Sequence, residues 1–326
     1  MAKSPASRKN TASSRPATQA AKRTPARPPA KSSSGRPAGL FTWLAIGLVV
    51  VIVATLVIIK VASGGPASTG GKGTFTKTDP TTFAQLTGVP MSVFNAVGIT
   101  SKVEGVSPPI VVKGQPPLTA HNSSGATVPQ IVYVGAEFCP YCAAQRWTTI
   151  IALSRFGTWS NLGNMTSYAH DIYPSTPTFT FAKSTYKSKY LVFTSVEEET
   201  NYLNAAGTNY QPLQSPTKAE TALVKKYDTP KYIPGLTAAN PFPIPFMTFG
   251  NKFLVSGASY SPDTLTNLSR TAIATGLSDP SSPVTDAIIA SANYQTAAIC
   301  SLTNNQPSNV CTSSGVMAAK SAMKIK

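Results

Sequence analysis

Cys139 and Cys142 stand two residues apart in Cys139-Pro140-Tyr141-Cys142. Two thiols at that spacing can close a disulfide and reopen it, and the matching chemistry is thiol–disulfide exchange. A thiolate attacks a disulfide sulfur, and a second thiol resolves the mixed disulfide that forms. One cysteine must therefore carry thiolate character, and the other must reach it. Ile131-Val132-Tyr133-Val134 is an apolar run that predicts a buried strand just before the motif. Pro140 to about Arg155 has helical periodicity. Cys139 is then expected at a helix N-terminus, where unpaired N–H groups and the helix dipole favour a thiolate and a lowered pKa. Cys142 follows within the first turn.

A structural disulfide or half of a zinc site competes with this reading. Zinc needs two more ligands at suitable spacing. Cys300 and Cys311 are separated by ten residues, and His121 and His170 have no further Cys or His near them. Neither a metal nor a cofactor is expected. Cys300 and Cys311 flank a polar loop, SLTNNQPSNV, and are read as a structural disulfide; a second redox pair is the alternative. Glu137 reads as a solvated loop carboxylate, with a proton relay to Cys142 as the sharper alternative. Tyr141, inside the motif, is expected to face a partner. Trp147, Ile150 and Ile151 have core spacing, and Glu197-Glu198-Glu199 reads as a solvated strand end. No phosphate loop, dinucleotide-binding glycine motif or Ser–His–Asp set is present.

The elements that must position the dithiol lie in 81–326. Thr82 to Val97 predicts a helix and Ile110-Val111-Val112 a short strand. Residues 121–128 predict a polar loop. Strands are expected over 165–170 and 190–196, and a helix over 218–227. Ile244 to Val255 reads as a hairpin turning at Gly250-Asn251. Ser261-Pro262 and Ser282-Pro283 each look like a helix start. The first helix would carry Leu265, Leu268 and Ile273, and the second would run to near Cys300.

The ends of the chain are different in kind. Residues 1–39 hold nine Lys and Arg and no Asp or Glu, a composition that predicts a disordered basic tail. Without those nine, 19 basic residues face 12 acidic ones. The high net charge is therefore largely a property of the tail, and specific nucleic-acid binding by the folded part is not expected. Leu40 to Ile59 is uncharged and long enough to cross a bilayer, so 40–60 is read as a single transmembrane anchor. The basic residues before it predict a cytoplasmic N-terminus and an extracytoplasmic domain. Residues 61–80 read as a flexible linker.

The order strand, CPYC helix, strand, then Ile244-Pro245-Phe246 before a hairpin and a terminal helix resembles the thioredoxin superfamily. The resemblance covers about 129–156 and 244–276. The whole domain is also similar to a prokaryotic family of membrane-anchored, thioredoxin-like proteins of uncharacterised function. The resemblance implies an α/β, thioredoxin-like fold with inserts. It also implies that Pro245 is a cis-proline packed beside the dithiol, and that Ile244 pairs through its backbone with an incoming chain. The sequence departs from the pattern in two places. The glutathione-binding element of glutaredoxins has no clear counterpart in LVSGASYSPDTL, and Tyr133 stands where thioredoxins carry a buried acid. The expectation is a membrane-anchored extracytoplasmic thiol–disulfide oxidoreductase acting on protein thiols or disulfides with an unidentified redox partner. In it Cys139 exchanges and Cys142 resolves. The alternative is a non-catalytic, surface-anchored binding or scaffolding domain with structural disulfides.

Overall fold

The computed structural model describes residues 75–99, 103–237 and 243–325. All described residues belong to one compact unit. The basic tail, the apolar span and most of the linker lie outside the described residues. Among the described residues no helix is long and apolar enough to cross a membrane.

Strand β1 (Thr76–Lys77) pairs antiparallel with a later strand through Thr76–Asn164 and Lys77–Gly163. The last part of the expected linker is thus tied to the domain. Asp79 accepts a hydrogen bond from the Thr82 amide at 2.9 Å and caps helix α1 (Pro80–Thr87). The single helix expected over 82–97 is two, α1 and α2 (Met91–Val97). Pro90 lacks the N–H that a continuing helix needs and disfavours helical geometry at Val89.

Strand β2 (Ile110–Val111) lies at a sheet edge. Strands β3 (Thr119–His121) and β4 (Thr127–Gly135) form a hairpin where only a loop is expected. The Asn122 side-chain oxygen accepts from the Ser124 and Ala126 amides, which folds the turn and frees its flanks to pair. Helix α3 (Pro140–Ser154) follows β4.

The segment after α3 forms two small antiparallel sheets. Strands β5 (Thr158–Ser160) and β8 (Thr185–Lys187) make one; β1, β6 (Gly163–Thr166) and β7 (Pro177–Thr180) make the other. The strand expected over 165–170 therefore ends at Thr166, and 167–176 is a loop. Strand β9 (Val192–Glu197) returns to the main sheet, β10 (Glu199–Leu203) pairs with β11 (Tyr210–Pro212), and α4 (Lys218–Tyr227) has its predicted ends. A Thr217–Glu220 capping box starts α4.

Strands β12 (Phe246–Phe249) and β13 (Phe253–Ser256) form the expected hairpin. Gly250 and Asn251 turn it with φ of 59° and 60°, the left-handed pair that a two-residue turn requires. The helix expected from Ser261-Pro262 breaks. A 3-10 turn covers Pro262–Leu265, Asn267 takes φ 62°, and α5 (Arg270–Gly276) restarts under a Ser269 cap. Leu268 falls in the break and is exposed. Helices α6 (Pro283–Leu302), α7 (Ser308–Cys311) and α8 (Ser314–Met323) complete the chain.

The main sheet has six strands ordered β2-β13-β12-β4-β3, with β9 also on β4. Only the β4–β9 pair is parallel; the others are antiparallel. Its side chains alternate between faces. Ile131, Tyr133, Met247, Phe249, Phe253 and Val255 join the large core formed with α3 and α6. Val132, Val134, Phe246 and Leu254 meet Leu223 and Val224 of α4. Both faces are thus covered, and β4, apolar at every position from Ile131 to Val134, is buried on each. Helix α3 is buried from Pro140 to Leu153 and α6 from Thr285 to Cys300, so neither shows an exposed polar face.

Candidate functional site

The register of the main sheet builds the site. Val134 lies opposite Phe246, so the chain leaving β4 and the chain entering β12 arrive at the same end of the sheet. The first carries Cys139 and the second carries Ile244 and Pro245. The Ile244–Pro245 bond is cis. The Cys139 Sγ–H donates to the Ile244 carbonyl at 3.7 Å. Cys139 is the N-cap of α3, and its sulfur accepts from the Cys142 amide at 3.3 Å. Both cysteines are free thiols.

Burial changes what this geometry does. Cys139 is 3 % exposed and Cys142 is fully buried. Desolvation pushes the Cys139 thiol well up, with Cys142 adding to the rise; the Cys142 amide and Arg146 oppose it. The lowered pKa expected from the helix N-terminus is not realised in this conformation, because the helix-end stabilisation is smaller than the loss of water.

Tyr141 is buried at 3 % exposure and does not face solvent. The Tyr173 ring stands edge-on to it, with centroids 5.9 Å apart and planes at 83°. Phe138, Tyr173, Ile244 and Ala258 pack around the Cys139–Tyr141–Cys142 cluster. Phe138 in turn stacks on Tyr210 at 4.0 Å. Tyr173 lies in the 167–176 loop and Tyr210 on β11, so segments outside the main sheet form one wall of the site.

A buried charged group sits behind the dithiol. Arg146, one turn after Cys142, is fully buried. Its Nε and Nη2 donate to Glu197 Oε1 and Oε2 at 2.8 and 2.5 Å, and Nη2 also donates to the Ala136 carbonyl at 2.7 Å. Burial alone pulls the guanidinium down; Glu197, with Tyr133 and Cys142, more than reverses this. Glu197 is fully buried, while Glu198 and Glu199 are half-buried. The three glutamates are therefore not a solvated strand end. The parallel pairing of β9 sets Glu197 beside Gly135, from where it reaches Arg146.

Glu137 is also buried, at 5 % exposure, which corrects its reading as a solvated carboxylate. Burial raises its pKa first, Glu197 raises it further, and a Thr180 hydrogen bond works against both. Tyr133 is fully buried, and its hydroxyl has no conventional hydrogen-bond partner; the group it interacts with is the Cys142 thiol. A Cβ on Gly135 would collide with that hydroxyl, so glycine there makes room for it.

Sequence inspection overlooks Arg146, Glu197 and Tyr173 as members of this site. Arg146 carries the one usable signal: a guanidinium inside an otherwise apolar helix needs a buried partner. Trp147, Ile150 and Ile151 are core, as their spacing predicts. Among the described residues no group of three or more His, Cys, Asp or Glu side chains could hold a metal ion.

Cys300 and Cys311 are joined in a disulfide with Cα atoms 5.6 Å apart, and both belong to the large core. Lys320 Nζ donates to the Cys311 carbonyl and to Asn305, a basic neighbour that the sequence spacing hides.

Neither a curated protein nor a solved structure matches the chain. A family model described as "Domain of unknown function (DUF929)" matches residues 118–301. That stretch is more than half of the chain and runs from the hairpin before the dithiol to the end of α6, so the chain belongs to the DUF929 family.

Proposed function

We propose that this chain is a membrane-anchored, extracytoplasmic thiol–disulfide oxidoreductase with a thioredoxin-like fold. The observation that carries the reading is the Cys139 thiol at the N-terminus of α3, held between the Cys142 amide and the Ile244 carbonyl. The run β9–β4–β12–β13, with β9 parallel to β4 and the rest antiparallel, supports the thioredoxin resemblance. The anchor and orientation rest on the uncharged span and the basic tail before it.

In the forward direction the Cys139 thiolate bonds to one sulfur of a substrate disulfide. The other substrate sulfur leaves with the bonding pair and takes a proton. Cys142 then attacks Cys139 Sγ, and the first substrate sulfur departs with its pair. The protein dithiol is oxidised to Cys139–Cys142 and the substrate disulfide is reduced; a substrate dithiol drives the reverse. Cys142 must lose a proton as it attacks. Glu137, with its pKa raised by burial, is the group proposed to take that proton. Ile244 and Pro245 shape the docking edge, and protein thiols or disulfides are the partners.

Burial of both thiols also suits the competing reading, a non-catalytic binding or scaffolding domain. A Cys142→Ser chain in cells separates the two. An exchanger accumulates mixed disulfides through Cys139 that dissolve in reductant and disappear when Cys139 is also replaced. The absence of any such adduct rejects exchange.

A further inference from the structure

We infer that Tyr173 occupies the seat of a substrate side chain, so that the dithiol selects polypeptide cysteines flanked by an aromatic residue that displaces Tyr173 from Tyr141. This rests on the exchange reading above and specifies its substrate.

Tyr141 belongs to the dithiol motif itself, yet its ring is sealed by Tyr173. The chain that carries Tyr173 is not core. Ile172 is 42 % exposed, and Pro174 and Ser175 are exposed on the other side. The half-buried Tyr173 ring is thus inserted from a stretch whose immediate neighbours, Ile172, Pro174 and Ser175, are exposed, while the loop ends at Ser167, Tyr168 and Thr176 are buried. The loop is closed across its base: the Ser167 amide donates to the Thr176 carbonyl at 3.0 Å, the Ser175 amide to the Tyr168 carbonyl at 3.2 Å and the Thr176 amide to Ser167 Oγ at 2.9 Å. The Tyr173 carbonyl accepts from Ser167 Oγ at 3.1 Å and Thr176 Oγ1 at 2.9 Å. The Tyr168 amide donates to the Phe138 carbonyl at 2.8 Å. Cys139 is buried among the same group of residues, so a substrate sulfur cannot arrive until this loop gives way.

The seat's chemistry names what replaces the ring. Phe138, Tyr141, Ile244 and Ala258 offer apolar surface and an aromatic edge, and an incoming aromatic ring can reproduce the edge-to-face contact. Charge is against a small anionic thiol. Arg146 is committed to Glu197, and Asp171 adds negative potential at Tyr141. Glutathione, with two carboxylates, finds no free cation among the described groups packed on the dithiol.

The test uses the full-length chain with Cys142→Ser, reduced, and three probes. These are the disulfide of capped Phe-Cys, the disulfide of capped Ser-Cys, and glutathione disulfide. Mixed-disulfide formation on Cys139 is timed, and iodoacetamide alkylation of Cys139 is timed in parallel. Phe-Cys should react roughly tenfold faster than either other probe, the order expected from one aromatic contact and its buried area. Tyr173→Ala should speed alkylation by roughly tenfold, on the same contact argument, whereas Tyr173→Phe should stay near the parent. Tyr141→Ala should remove the preference for Phe-Cys. Equal rates for all three probes overturn the substrate inference and leave exchange standing. Unchanged alkylation in Tyr173→Ala overturns the claim that this ring seals the site. Alkylation without exchange on any probe overturns both the inference and the exchange reading.

Discussion

The two cysteine pairs of this chain sit at opposite ends of buried helices, and their states differ accordingly. Cys139 caps the N-terminus of α3, where the Cys142 amide points at its sulfur. Cys300 lies in the last turn of α6, where unpaired carbonyls dominate, and is bonded to Cys311. Helix N–H groups favour a thiolate and helix carbonyls oppose one. The surroundings differ in the same sense. Arg146, Glu197, Glu137 and Tyr133 stand behind the first pair, and the second is set in the large core. The first placement supports the proposed exchange, and the second ties the end of α6 to α7. Proximity of two cysteines does not distinguish the pairs; the helix end and the neighbouring charges do.

The sharpest way to break this comparison is to remove each pair in turn. Cys139→Ala should lower exchange by about a hundredfold or more, since the nucleophile itself is gone. Replacing both Cys300 and Cys311 with alanine should leave most of that activity. It should cost roughly 2–3 kcal/mol of stability on the loop-entropy model, read by urea denaturation. Loss of turnover in a folded late-pair variant would make that pair an electron relay and erase the contrast.

The charged group behind the dithiol gives the next largest effect. Glu197→Gln leaves Arg146 buried without its carboxylate and should cost about 3–5 kcal/mol. The double change Arg146→Met, Glu197→Gln should recover part of the loss. If the single change costs under about 1 kcal/mol, the pair is not holding buried charge as described.

Asp228, a buried carboxylate outside both pairs, gives an effect that is read against pH. Ser256 Oγ donates to Asp228 Oδ1 at 2.8 Å, and Oδ2 has no hydrogen-bond partner. Burial raises its pKa to about 7, with Ser256 opposing. The unfolded chain releases this proton near the ordinary value of 3.8, so between there and about pH 7 the folded state binds the extra proton. Its contribution is therefore greatest below the ordinary value and is lost as pH rises through about 7. Denaturation midpoints should fall across that window, and Asp228→Asn should flatten the curve. A slope that survives the substitution would assign the titration elsewhere, Glu137 included.

Much of this arrangement is legible in the residues. The apolar run at 131–134, the CPYC start of α3, the helix over 218–227 and the Gly250-Asn251 turn each carry a local signal, and each appears where that signal lies. The late cysteine pair and the core role of Trp147 are equally readable. The errors have two causes. The helix over 82–97 breaks at Pro90, and the helix after Pro262 breaks at Asn267, because local geometry overrides apolar spacing. Glu137 and Glu197 read as solvated because nothing near them in sequence shows that they are covered.

The amino-acid sequence by itself determined the dithiol, its helix, the hairpin that follows Pro245 and the late bridge, because each depends on residues within a turn or two of one another. Tertiary structure alone decided what surrounds the dithiol. The pairing of Val134 with Phe246 brings Ile244 to Cys139, and the parallel pairing of Gly135 with Glu197 brings a carboxylate to Arg146. The 167–176 loop brings Tyr173 onto Tyr141. These contacts join residues tens of positions apart, so strand register and loop path set them, and no local pattern encodes either. Whether Cys139 is a poised thiolate or a covered thiol is the clearest case, since the helix end favours the first and burial by distant segments imposes the second.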